Sequence, residues 1–152
     1  MQRTSTSGVA RLFFVEKVHE DFPDCLHWDR TLLQHDPCYT HAIALPGVNQ
    51  GSGRYDVVVC MLSLLAPVYA IYATHQVNTG PVRESWLRFP PLPPEFQAQE
   101  TKLATRIEST FGFTRLPEEV LFLPVPNLVP PSGTLHLGET RLIDCLFTPH
   151  RH

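Results

Sequence analysis

The longest apolar stretch of the chain, residues 57–73, contains no charged residue and constrains the fold more than any other segment. Val57, Val58 and Val59 follow one another, which is typical of a central strand buried on both faces. A second apolar strand is predicted over 68–74, and Pro67 is typical of the turn between the two strands. The sequence therefore predicts a β-hairpin over residues 55–74 at the centre of a sheet.

The same stretch does not predict a membrane span. It is shorter than the roughly 20 residues that a helix needs to cross hydrocarbon, it contains a proline, and it favours β-branched residues. The N-terminal residues lack the apolar core of a secretion signal, so we expect a cytoplasmic protein. A length of 152 residues fits one domain, 1–152, in which polar residues 1–8 are expected to be disordered.

One helix is predicted over residues 94–111, because Leu103, Ala104, Ile107 and Phe111 recur at helical spacing and Gly112 follows. A short helical turn is expected over 117–121. The remaining apolar segments are predicted as strands, at 11–18, 22–28, 41–46, 84–89, 134–137 and 140–147. The last two are expected to pair as a closing hairpin, with Asp144 inside the final strand. The predicted fold class is α+β, a mostly antiparallel sheet with the 94–111 helix packed on one face.

Charge and cysteine content exclude some functions. The net charge of −3 gives no case for direct binding to nucleic acid, which favours a basic surface. Residues 16–36 contain six acidic residues against two basic ones, so acidity is concentrated there. The four cysteines are spread along the chain, and we expect buried free thiols in a reducing compartment.

Thiol and imidazole side chains cluster in this acidic segment and just after it. Cysteine and histidine are the typical zinc ligands, and five of them fall between residues 25 and 41: Cys25, His27, His35, Cys38 and His41. Their spacing matches no standard zinc finger or knuckle, and unreactive thiols with surface histidines explain the pattern better. Neither a G-x-S-x-G motif nor a cysteine-protease signature is present. We therefore predict no enzyme, no cofactor and no assigned metal ligand, and a small metal- or cysteine-dependent enzyme remains the alternative.

The segment from 55 to 147 carries a resemblance to a known class. Its features are Phe111-Gly112-Phe113 after the helix, Val125-Pro126-Asn127, and Gly138-Glu139-Thr140 followed by Asp144-Cys145-Leu146-Phe147. This layout resembles the small immunity proteins of bacterial polymorphic-toxin systems. The resemblance implies a cytoplasmic, non-enzymatic protein that binds a cognate toxin and blocks its active site. The matching positions are structural, so no functional residue is carried over.

The acidic segment supplies a hypothesis for toxin binding. If the toxin is a nuclease or another enzyme with a basic cleft, carboxylates could occupy the positions of substrate phosphates and speed association. Trp28 would serve as an aromatic anchor. The predicted contact residues are Glu20, Asp21, Asp24, Trp28, Asp29 and Asp36. The alternative is that the acids only solubilise a loop and that Trp28 belongs to the core. The identity of the toxin and the oligomeric state stay open.

Overall fold

The computed structural model describes residues 2–31, 37–128 and 137–147, with side chains described from Arg11 onward. The fold is α+β, as predicted, and consists of an antiparallel sheet with strands in chain order, together with helices. A short sixth strand pairs parallel to the fourth. The elements are α1 Gln2–Asp21, β1 His27–Asp29, β2 Cys38–Ala44, β3 Arg54–Ser63, β4 Val68–Asn78, β5 Arg83–Arg88, α2 Pro94–Phe111, β6 Thr114–Arg115, α3 Glu118–Leu121 and α4 Leu142–Leu146.

The central hairpin is confirmed. Strands β3 and β4 pair antiparallel in the middle of the sheet, with Val58 opposite Ala73 and Met61 opposite Ala70. Pro67 lies in the turn between them, where its missing N–H costs no ladder hydrogen bond. Gly53 stands before β3 with φ of 76°, and a Cβ there would lie 2.4 Å from the carbonyl oxygen of Asn78. Only glycine fits this close approach without strain.

Side chains of the sheet alternate between two buried layers. We call the side that α1 and α2 cover the helix face; Val58, Cys60 and Ile71 point to it. The other side, the opposite face, carries Val59 and Tyr72, which pack with Leu121 of α3, Ile143 of α4 and Phe147 just after α4. Both layers are apolar, so the sheet is the middle of the molecule.

Helix α2 lies where residues 94–111 predict it. Pro94 occupies its first turn, where a missing N–H is harmless, and Gly112 ends it in the left-handed conformation at φ of 70°. Its buried residues Phe96, Leu103 and Ile107 belong to the helix-face core. The packing of this helix on one face of the sheet is thus confirmed, as are the short helix near 117–121 and the strands near 41–46 and 84–89.

The prediction of a strand over 11–18 is wrong, because these residues lie within α1. Phe14, Val18 and Phe22 are buried at intervals of four residues, so one helical stripe packs on the sheet. Residues 2–8, expected to be disordered, lie within the same helix. Of the strand predicted over 22–28, the structure has only the short β1, His27–Asp29.

The prediction of a strand over 140–147 is also wrong, because the apolar run forms α4. The backbone N–H of Arg141 donates to Oδ2 of Asp144 across 2.8 Å, which stabilises the first turn of a helix. Asp144 is therefore buried in a helix rather than in a strand. Its predicted pairing segment, 134–137, lies almost wholly outside the described residues.

No helix among the described residues combines the length and the apolar character that crossing a membrane requires.

Candidate functional site

Three imidazoles from three elements meet on the helix face. His19 comes from α1, His27 from β1 and His41 from β2, and one ring nitrogen of each lies within 4.8 Å of the others. The antiparallel register places His27 beside Ile43 and Asp29 beside His41, so the two strand histidines are diagonal neighbours on one face. His19 stacks on His27 with ring centroids 3.9 Å apart and stays exposed.

The hydrogen bonds of His27 define which of its nitrogens carries a proton. Its Nε2 lies 2.9 Å from the carbonyl oxygen of Phe22, which can only accept, so Nε2 donates. Its Nδ1 is then a bare lone pair and accepts from Nε2 of His41 at 3.0 Å. The remaining nitrogen of His41, Nδ1, is buried and has no hydrogen-bond partner among the described residues.

Burial keeps the two strand histidines neutral. Desolvation, reinforced by the nearby His27, His19 and Arg11, lowers the pKa of His41 to about 4. Desolvation also lowers the pKa of His27. Near pH 7 both rings are therefore uncharged imidazoles, the form that binds metal ions and exchanges protons.

The zinc-ligand set predicted from the sequence is only partly brought together. His27 and His41 meet, whereas Cys25 lies against Gln99 and Cys38 against Thr40, with sulfur contacts of 3.4 and 3.6 Å. Cys38 packs in the core of the opposite face. His35 lies outside the described residues. The third imidazole is instead His19, which the sequence reasoning missed because it placed the preceding residues in a strand.

The predicted acidic contact residues do not form one unpaired surface. Asp21 accepts two hydrogen bonds from Arg106 at 2.7 and 3.0 Å, and this guanidinium lowers the pKa of Asp21. Asp29 forms an ion pair with Arg11 of α1. Glu20 is exposed and lies 3.4 Å from Lys17, and Asp24 is exposed. Asp36 lies outside the described residues.

Trp28 is separated from these acids because it points to the opposite face. Its ring meets Tyr55 edge to face at 6.3 Å, and the guanidinium of Arg30 lies 5.9 Å from its centroid. An open cavity of about 570 Å³ lies beside them. We call its lining on this face the Trp28 surface, which consists of Trp28, Arg30, Tyr55, Val57, Thr74, Gln76, Ser85 and Leu87.

Comparisons of the chain with protein-family models, with curated proteins and with solved structures gave no match. The fold gathers chemically useful side chains at two places, the three histidines and the Trp28 surface.

Proposed function

We propose that this chain is an immunity-type protein of the cytoplasm, which binds a cognate bacterial toxin and occludes its active site without catalysis of its own. The observation that carries the proposal is the grouping of Trp28, Tyr55 and Arg30 beside an open cavity. Tryptophan, tyrosine and arginine are the residues most enriched among those that dominate binding energy at protein interfaces. The layout of residues 55–147 supports the same class of protein.

The Trp28 surface suits a protein partner because it combines apolar and polar side chains. Leu87 is exposed, and Thr74, Gln76 and Ser85 lie beside it with accessible side chains that can hydrogen-bond. A protruding side chain of the toxin would enter the cavity and pack against the rings. A concave sheet surface with aromatic anchors can thus cover the rim of an active site.

The acidic residues have a smaller role in this proposal than the sequence suggested. Asp21 and Asp29 already neutralise arginines of the same chain, so using them on a toxin would mean breaking those ion pairs. Glu20 and Asp24 remain exposed and would raise the rate of association with a basic toxin. Their effect should fall with added salt.

The test is co-expression with the product of the neighbouring gene, combined with measured affinity. The wild-type chain should restore growth and bind that product, and Trp28→Ala should weaken binding roughly 30-fold or more, since loss of a central anchor costs about 2 kcal/mol or more. The control is Leu12→Ala, which removes an exposed apolar side chain of α1. Absence of rescue and binding, or equal binding by both variants, would contradict the proposal.

Two observations favour the metal-dependent form of the enzymatic alternative. Burial raises the pKa of Cys25, which makes its thiol a poorer nucleophile at neutral pH. The His19, His27 and His41 group favours the metal-dependent form, because three imidazoles can hold a catalytic ion. Metal content of protein purified without a histidine tag, followed by an activity screen of the loaded protein, tests it.

A further inference from the structure

We propose that His19, His27 and His41 bind one divalent transition-metal ion, for which zinc is the best match. Zinc in proteins is tetrahedral with zinc–nitrogen bonds of 2.0–2.1 Å, so two nitrogens bound to one zinc ion lie about 3.3 Å apart. Nδ1 of His27 and Nε2 of His41 are 3.0 Å apart, and the third imidazole nitrogen lies within 4.8 Å of them. The ring of His19, which stacks on His27, would have to turn so that its lone pair meets theirs, and the three nitrogens would then form three corners of a tetrahedron.

The backbone already orients the central ligand. Histidines that bind metals usually donate their other N–H to a carbonyl or a carboxylate, which fixes the ring and the tautomer. His27 does this through its 2.9 Å hydrogen bond to the carbonyl of Phe22. Its Nδ1 lone pair therefore already points toward His41.

The two strand histidines already face each other, with Nδ1 of His27 3.0 Å from Nε2 of His41. A metal ion would take the place of the hydrogen that now lies between these two nitrogens. His41 needs one rearrangement: the proton on Nε2 moves to Nδ1, and Nε2 then offers its lone pair. The ring stays neutral throughout.

The ligand set also indicates which ion binds and what surrounds it. Imidazole nitrogen suits zinc, copper and nickel, and three histidines with one open position are a ligand set that zinc sites use. His19 lies at the surface, whereas His41 is 5% exposed. The fourth position consequently faces solvent, where water or an incoming donor can occupy it.

A bound ion would tie α1 to two strands that already pair with each other. It would join the last turn of α1 to β1 and β2, next to the buried Phe22. Because the site exists only in the folded chain, binding should stabilise the native state against heat.

The experiment uses the full chain without a histidine tag, stripped with a chelator and titrated with Zn²⁺ alone. We expect one ion per chain with a dissociation constant below about 1 µM, a value typical of specific binding. His19→Gln should weaken zinc binding by about tenfold or more, because even loss of an outer partner of a metal ligand costs 10–100-fold. The melting temperature should rise with zinc in the wild type and rise less in this variant.

His75→Gln is the control, because it removes a histidine that lies outside the group. It should bind zinc as tightly as the wild type. His19 is exposed, so its replacement should leave the fold intact, which circular dichroism verifies. Failure of the wild type to bind one ion per chain, or equal affinities for His19→Gln and His75→Gln, would overturn the proposal.

Discussion

The hydroxyl of Tyr69 is a polar group enclosed by the helix-face core. The residue is fully buried, and its hydroxyl lies between the carboxylate of Glu108 and Nε of Arg115, the latter 3.4 Å away. Tyr69→Phe keeps the ring but leaves these charged groups without that partner. We expect the free energy of unfolding to fall by about 1 kcal/mol, measured by urea denaturation at pH 7.

The same variant tests a pH dependence at alkaline pH. Burial raises the pKa of Tyr69 from 10.0 to about 12, so the folded chain holds a proton that the unfolded chain has lost. The stabilising contribution is complete below pH 10 and is lost as the pH rises through about 12. Between these values the wild type should lose stability more steeply than Tyr69→Phe. Equal slopes for the two proteins would contradict this prediction.

At the scale of elements, α1 is held on the sheet by one buried stripe. Phe14 is 2% exposed within this stripe, whereas its neighbour Phe13 is 48% exposed. Phe14→Ala should therefore cost about 3–5 kcal/mol of unfolding free energy, and Phe13→Ala less than about 1 kcal/mol. Urea denaturation of the two variants measures both changes. Similar losses would mean that α1 does not present this face to the sheet.

The elements that sequence reasoning predicted are those whose signal is local. The run of valines with Pro67, and the spacing from Leu103 to Ile107 before Gly112, each favour one structure strongly. Residues 11–18 were misassigned because Phe-Phe-Val has strand propensity, while the four-residue spacing of Phe14, Val18 and Phe22 shows only over a longer window. The short apolar run in α4 is ambiguous by periodicity alone.

The candidate sites could be predicted only in part, because residues distant in sequence contribute to them. His27 and His41 drew attention because they are close in sequence, but His19 joins them only if residues 11–18 are helical. The ion pair of Asp21 joins residues 85 positions apart, so no local pattern indicates that this acid is already paired. Trp28 was predicted to be an anchor only because it is a tryptophan, without knowledge of the face to which it points. Trp28 and Asp29 lie on opposite faces because successive side chains of a strand alternate. The bounds of this strand were uncertain from the sequence, so the sequence did not show that the two residues are separated.

At the scale of the whole molecule, the sheet separates two chemically different surfaces. Strand β1 is only three residues long, yet it contributes to both, because successive side chains of a strand point in opposite directions. His27 faces α1 and the other imidazoles, and Trp28 faces the cavity beside Tyr55. The proposed metal site and the proposed partner surface are therefore adjacent in sequence and separated by the thickness of the sheet.

This arrangement predicts that the two sites can be altered independently. Trp28→Ala should leave the zinc affinity within about twofold of the wild type, because sites without shared contacts behave nearly additively. His19→Gln should in turn leave the affinity for the toxin unchanged, since its side chain is on the helix face. Zinc titration of Trp28→Ala checks the first expectation even before a toxin is identified. If that variant lost as much zinc affinity as His19→Gln, Trp28 would be needed to hold β1 in register, and the two faces would act as one coupled site.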